Sequence, residues 1–171
     1  MSFLSNLFHS NKVASDDMEL VSPVSGVLLP ISEVPDIVIS EKVVGDGVAI
    51  CPESGDILAP CDGVITRIIA TKSAFALKTA LGPEIYVTFG VGAIDLAGYG
   101  FVCTKEVGQS VKKGELILKV DLNEVEGRVK STVTSMIVVA SSAKIEKVTA
   151  ATGKCSAGIT PCLWIGLKKD L

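Results

Sequence analysis

The sequence predicts an all-β protein, a single-domain antiparallel β-sandwich or barrel with one or two very short helices. From Leu20 onward, glycine and proline interrupt the chain at short intervals, and short apolar runs lie between them. Two of these runs, residues 63–69 and 134–140, are rich in β-branched side chains, which suit a pleated strand. Hydrophobic residues make up 48% of the chain and aromatic residues 5%, so the expected core is aliphatic. Helix is predicted only briefly, at residues 122–130 and near residues 142–151.

A chain of 171 residues fits one domain, which we assign to residues 19–171. Residues 1–18 form a flexible or amphipathic tail with an apolar stripe at helical spacing: Phe3, Leu4, Leu7 and Phe8. Two interpretations of the tail stay open. In the first, it has no membrane role and is either disordered or a helix packed on the domain. In the second, it is an amphipathic helix that lies on a membrane surface.

The composition excludes several classes of protein. No apolar stretch approaches the ~20 residues that span a bilayer, and no secretory signal is evident, so we expect a soluble cytoplasmic protein, with peripheral contact at the inner membrane face as an option. The five cysteines are scattered without a Cys-x-x-Cys pair, which predicts neither a disulfide framework nor a metal site. A formal charge of −3 gives no reason to expect nucleic acid as a partner. No cofactor is predicted.

Two related turn units narrow the choice of fold. Residues 107–120 join two apolar runs through a tight turn at Lys112, Lys113 and Gly114, and residues 59–68 resemble them. Such paired units occur in lipoyl and biotinyl carriers, in certain zinc endopeptidases and in the enzyme IIA of sugar transport. The carriers need an acceptor lysine flanked by Met or Val, which is not evident here. The endopeptidases need several histidine ligands, and this chain has one histidine.

Residues 31–50 carry the most specific resemblance. Their sequence, ISEVPDIVISEKVVGDGVAI, resembles the "DVPD…F…VGDGIAI" segment of the glucose-type enzyme IIA of the bacterial sugar phosphotransferase system. The resemblance continues in order through residues 59–63, 74–75, 89–90, 108–114 and 120–122, and it covers the chain from about residue 19 to its end. It implies the β-sandwich of that family, a duplicated hybrid motif, with an apolar depression that holds two neighbouring histidines.

The resemblance also implies what those histidines do. One accepts a phosphoryl group from the small histidine carrier protein and passes it to a cysteine of enzyme IIB, while the other neutralises the transferring group. The family writes the two positions as T-N-H-A-F and V-H-F-G. Here the same stretches read TKSAF and VTFG, so Ser73 stands at the partner position and Thr88 at the acceptor position. Of the flanking groups, Asp36 and Thr71 are retained, whereas Gly92 stands where the family often has an acid.

Phosphoryl transfer by another residue is not favoured. A hydroxyl at Thr88 or Ser73 needs an adjacent base, and a phosphoester would be too stable to hand its group onward. Cys61 and Cys103 lack a phosphate cradle in their flanks. The one histidine, His9, lies in the tail outside any matching motif.

The sequence therefore predicts a pseudoenzyme, a regulatory module that binds proteins of the phosphotransferase system or its regulated permeases and kinases. The expected patch combines an apolar centre with a polar rim, as protein interfaces do. It comprises Asp36, Val38, Ile39, Val44, Thr71, Ser73, Thr88, Phe89 and Val91. Two alternatives stay open: a residual phosphoryl carrier with a non-histidine acceptor, and a fold retained for an unrelated role.

Overall fold

The computed structural model describes residues 17–168. Within that range the chain forms fourteen strands: β1 (Met18–Val21), β2 (Gly26–Pro30), β3 (Gly45–Pro52), β4 (Asp56–Leu58), β5 (Gly63–Ile68), β6 (Ala74–Lys78), β7 (Glu84–Thr88), β8 (Phe101–Cys103), β9 (Ser110–Val111), β10 (Leu116–Val120), β11 (Thr134–Val139), β12 (Ile145–Ala150), β13 (Gly153–Cys155) and β14 (Pro161–Leu167). Two helices of one turn, α1 (Ile37–Ser40) and α2 (Leu122–Val125), accompany 3-10 helices at Ile31–Glu33 and Ala93–Leu96.

The strands build three antiparallel sheets. The largest has eight strands in the order β13-β2-β3-β11-β7-β6-β5-β9. Two sheets of three strands, β1-β14-β12 and β4-β10-β8, complete the architecture. In the first of these, β1 pairs with β14 so that Met18 lies opposite Ile165. The predicted all-β antiparallel fold with very short helices is confirmed.

The eight-stranded sheet has two unlike faces. Its inner face carries aliphatic and aromatic side chains such as Val48, Phe75, Ile85, Val87 and Met136. These join side chains of the two smaller sheets in one continuous core, which includes Leu20, Ile57, Ile117, Leu118, Leu163 and Ile165. Because successive strand residues point to opposite faces, the intervening residues form the outer face.

The outer face carries a smaller apolar cluster. Ala49 and Ile137 of the sheet pack there with Ile31, Val34 and Ile39, which belong to the segment that contains the first 3-10 helix and α1. This segment covers part of the outer face and leaves the region near the end of β7 uncovered by a second sheet. The difference between the two faces positions the candidate site.

Both turn units connect the eight-stranded sheet with the sheet β4-β10-β8, since β5 and β9 belong to the first and β4 and β10 to the second. The turn at Lys112 closes through the Glu115 N–H, which donates to the Lys112 carbonyl at 3.0 Å. The strands on either side, β9 and β10, belong to different sheets. The two units also contact each other, since Gly63 pairs with Val111 in the eight-stranded sheet.

One helix prediction is wrong and another is too long. Residues 145–150 form strand β12, because β-branched Ile145, Val148 and Thr149 pair with β14 instead of coiling. The helix predicted at residues 122–130 ends at Val125. Gly127 follows with φ of +85°, a left-handed conformation that terminates helices. None of the helices in residues 17–168 is long and apolar enough to cross a bilayer.

Candidate functional site

A shallow depression of about 280 Å³ opens on the outer face where β7 ends. Its floor and walls come from α1, from β6 and β7, and from the loop that follows β7. The residues that line it are mostly apolar: Asp36, Val38, Ile39, Val44, Ile69, Ser73, Ala74, Tyr86, Thr88, Phe89, Gly90, Val91, Gly92, Ala93 and Ile94.

Thr88 is the last residue of β7 and is half-buried at the floor. It pairs with Ala74 of β6 on one side and with Ser135 of β11 on the other. Directly paired residues share a face of the sheet, so all three side chains project toward the outer face. The next residue, Phe89, donates its backbone N–H to the Ser73 carbonyl at 2.9 Å, which fixes the end of β7 against the start of β6.

Ser73 is buried and its hydroxyl lies 2.9 Å from the hydroxyl of Thr71. The intervening Lys72 has φ of +62°, the left-handed conformation that lets the chain turn tightly between the two hydroxyl residues. Because each hydroxyl has the other as a partner, burying Ser73 leaves no unsatisfied polar atom at this position. The pair is a compact neutral group at the edge of the depression.

The loop after β7 closes a second side of the depression. Gly90 has φ of +67°, and a Cβ on it would lie 2.7 Å from the Ser131 carbonyl oxygen, so a side chain does not fit there. Val91 donates to that same carbonyl at 2.8 Å. Below the loop, the rings of Phe89 and Phe101 meet edge to face with centroids 5.6 Å apart. These contacts hold Val91 and the exposed Ile94 at the wall.

Asp36 begins α1 on the opposite side. Its Oδ1 accepts the Val38 N–H at 3.0 Å, the usual arrangement of an aspartate that caps a helix. The short helix turns Ile39 inward, whereas Ile37 is 74% exposed and Val38 is 47% exposed. The rim of the depression thus presents apolar side chains to solvent beside a carboxylate.

Ser135 lies beneath this floor and is 1% exposed. Its hydroxyl has no hydrogen-bond partner among residues 17–168. An unpaired buried hydroxyl costs free energy, and it is unusual in a folded domain. Ser135 was not among the predicted site residues, although a serine inside the run TSMIVV at 134–139 is a visible polar break in a β-rich strand.

The depression brings together eight of the nine residues predicted for the patch. Asp36, Val38, Ile39, Val44, Ser73, Thr88, Phe89 and Val91 line it, whereas Thr71 contributes through its contact with Ser73. Among the lining residues, the prediction missed the exposed Ile94, and it missed Tyr86, which follows from period-2 alternation before Thr88. Phe3, Leu4, Leu7 and Phe8 lie outside the described residues, so their proposed membrane contact stays a prediction.

The two cysteines considered as substitute acceptors lie outside the depression. Cys61 is buried, and burial together with the neighbouring Asp62 charge raises the pKa of its thiol to about 12. A thiol with this pKa is protonated at neutral pH and is a poor nucleophile. Cys103 donates its S–H to the Lys105 carbonyl at 3.3 Å, in strand β8 of a different sheet.

Comparisons with known proteins agree with this fold. Residues 18–144 match the family described as phosphoenolpyruvate-dependent sugar phosphotransferase system, EIIA 1. The chain is 40% identical over 138 residues to the glucose-specific EIIA component of Haemophilus influenzae. This match covers 81% of the chain and 83% of the relative. It is 40% identical over 162 residues to the glucose-specific EIIA component of Buchnera aphidicola subsp. Baizongia pistaciae, covering 94% and 96%.

A solved structure of a glucose permease IIA is also similar to this chain. The glucose permease IIA from Mycoplasma capricolum matches with a TM-score of 0.80 and 30% sequence identity, over 86% of this chain and 95% of that one. The family match spans well over half of the residues, and the relatives are matched along most of their length. The chain therefore belongs to the glucose-type enzyme IIA family of the sugar phosphotransferase system.

Proposed function

We propose that this protein is a regulatory binding module of the phosphotransferase system that carries no phosphoryl group. Family membership implies interaction with the other proteins of that system. The finer proposal concerns what the chain does when it meets them: it docks through the depression at the end of β7 and transfers nothing.

The observation that carries the proposal is the composition of the depression. The chain has one histidine, His9, which is outside residues 17–168, so the domain that surrounds the depression contains no imidazole. Phosphoryl carriers of this kind depend on a ring nitrogen that is nucleophilic near neutral pH and forms a labile N–P bond. Ser73 and Thr88 offer hydroxyls instead, and a hydroxyl needs a neighbouring base to attack phosphorus.

The groups around Thr88 do not supply that base. Its paired neighbours on the sheet are Ala74 and Ser135, neither of which titrates. Within the described range, residues 17–168, the only carboxylate that lines the depression belongs to Asp36, and one of its oxygens accepts the Val38 N–H. A binding role requires no catalytic base from these residues. It needs an accessible apolar surface with a few polar groups, and Val38 and Ile94, which line the depression, expose such a surface.

The test is an intact-mass measurement after incubation with phosphoenolpyruvate, enzyme I and the histidine carrier protein. We expect no mass gain, while an ordinary enzyme IIA in a parallel reaction gains one phosphate. The matched variant is S73H/T88H, which returns an imidazole to both positions. We expect this variant to gain an acid-labile phosphate, because the scaffold around the two positions is intact.

The outcomes separate the alternatives. A phosphate on the unmodified chain would contradict the proposal, and its stability in acid would then distinguish a hydroxyl ester from an N–P bond. Failure of the chain to bind any protein of the system would contradict the binding role and favour a fold retained for an unrelated purpose. A folded S73H/T88H variant that still gains nothing would mean that features beyond the two histidines, such as Gly92, prevent transfer.

A further inference from the structure

A groove lies beside the point where the described chain begins. It consists of two adjoining cavities, of about 560 Å³ and about 330 Å³, which share Asp62, Thr79 and Ala80. The larger cavity runs along β9, the last strand of the eight-stranded sheet. Met18, the first residue of β1, lines the smaller one. The chain before β1 therefore leaves the domain from the groove itself.

The groove combines a buried floor with exposed apolar side chains. Cys61 and Val111 are buried at its floor, whereas Leu81 is 60% exposed and Val64 is 39% exposed. Exposed apolar surface that borders a cavity marks a place where another segment packs. The described charged residues that line the groove cancel, since three are lysines and three are acids: Lys78, Lys112, Lys113, Glu19, Asp62 and Glu115. An apolar segment without charge suits such a groove.

The sequence that precedes the groove has this character. Residues 1–16 lie outside the described range and contain the apolar stripe Phe3, Leu4, Leu7 and Phe8. Lys12 is the only lysine or arginine among them, and the charge of Asp16 cancels its charge. A helix that lies on a membrane surface usually carries a lysine- and arginine-rich face opposite its apolar face. This composition favours an apolar protein groove over an anionic lipid surface.

The length of chain before β1 allows the stripe to fold back. Nine residues separate Phe8 from Met18, and an extended chain spans at least about 3.3 Å per residue, so the link reaches about 30 Å. The stripe itself is about 9 Å long as a helix. Because it is tethered at the groove, its effective concentration there is on the order of millimolar. Even a weak contact would then be occupied.

We propose that the apolar stripe at residues 3–8 docks as a short helix in the groove of its own domain, against Val64 and Leu81. Within residues 17–168, the groove shares no lining residue with the depression at the end of β7. The contact is therefore independent of the proposed binding function, and its failure would leave that function standing.

The experiment is amide hydrogen exchange of the full chain, followed by mass spectrometry of the peptide that contains residues 3–8. The comparison is with Leu81→Asp, which places a charge in the groove at an exposed position where the fold tolerates it. We expect these amides to exchange at least about tenfold more slowly in the original chain than in Leu81→Asp, because docking protects them. Val102→Asp is the matched control: Val102 is 59% exposed in β8 and lines neither cavity.

The outcomes distinguish the possible occupants. Slow exchange that Val102→Asp preserves and Leu81→Asp abolishes would support docking in the groove. Fast exchange in the original chain would overturn the inference, as would slow exchange that Leu81→Asp leaves unchanged or that both variants abolish. A second measurement adds vesicles of phosphatidylglycerol and phosphatidylcholine in equal parts. Exchange that is fast in buffer and becomes slow only with these vesicles would assign the stripe to a membrane surface and would also overturn the inference.

Discussion

The inner and outer faces of the eight-stranded sheet differ in what their alternating residues do. In β7, Ile85 and Val87 turn inward and are completely buried in the main core, whereas Tyr86 and Thr88 turn outward, where Thr88 reaches the floor of the depression. In β11, Met136 and Val138 turn inward, and Ser135 lies outward, where its hydroxyl has no partner among residues 17–168. The same strands thus supply stability on one face and polar, accessible groups on the other.

The contrast teaches where this chain tolerates change. A face that packs against two other sheets is constrained in volume, and any loss there leaves a cavity. A face that ends in an open depression exchanges one side chain for another at low cost. The half-buried Thr88 is compatible with this sheet for that reason, whereas the buried Ser73 is compatible because Thr71 pairs with its hydroxyl.

The two faces should differ most in the free energy of unfolding that is lost when one side chain on each face of β7 is truncated. Ile85→Ala should lower the free energy of unfolding by about 2–5 kcal/mol, because it removes buried methyl groups and leaves a cavity. Thr88→Ala, three residues later on the outer face, should change it by less than about 0.5 kcal/mol. Urea unfolding followed by circular dichroism measures both. Similar losses for the two variants would show that the faces are not distinct in energy.

High pH should weaken the main core, against which the inner face packs, through two buried thiols. Cys61 and Cys162 both lie in the main core, and desolvation by burial raises the pKa of each thiol from 9.0 to about 12. Because the pKa is raised, the folded state keeps both thiols protonated at pH values between 9 and 12, at which the thiols of the unfolded chain lose their protons. This stabilisation is fully present below pH 9 and is lost as the pH rises from 9 towards 12, by at most about 1.4 kcal/mol per pH unit for each thiol.

The measurement is the free energy of unfolding at pH 8 and at steps above pH 9, compared with the C61A/C162A variant. The variant loses packing at every pH, so the slope with pH is the informative quantity, and we expect it to be shallower than in the original chain. Cys51→Ala is the control, since Cys51 is exposed. Parallel slopes for the original chain and C61A/C162A would contradict this origin of the pH dependence.

The smallest expected effect concerns Ser135. Replacing it by alanine removes a buried hydroxyl that has no partner within residues 17–168, so the free energy of unfolding should stay unchanged or rise by up to about 1 kcal/mol. Ser131→Ala is a useful comparison because the Ser131 hydroxyl accepts the Val133 N–H at 3.1 Å, and its loss should destabilise. A clear loss of stability in Ser135→Ala would show that the hydroxyl is satisfied in solution.

The sequence predicted the fold class because its main signals are local. Glycine and proline at turns and β-branched runs between them are visible without knowing which strand pairs with which. Residues 142–151 misled the prediction because the strand character of β12 depends on pairing with β14, about twenty residues away. Periodicity alone did not reveal that partner.

The candidate site was predicted from the resemblance to the enzyme IIA family. The site residues that this resemblance did not predict show its limits. Asp36, Ser73 and Thr88 lie within matching motifs, so each could be assigned a position in advance. Ile94 was missed because exposure of an apolar side chain depends on how the loop after β7 is oriented. Ser135 was missed because its lack of a partner is a property of three dimensions, although the serine itself is plain in the sequence.

The pairing of β1 with β14 has a consequence for the order of the chain. Met18 lies directly opposite Ile165, so the first and last strands of the described fold lie side by side. A short linker could therefore join them, and the chain could be reopened at the exposed turn of Lys112 and Lys113. Such a circular permutant would keep every sheet and both faces, while its new ends would emerge at a different place on the surface. The strand pairing, and not the position of the chain ends, would then define the architecture.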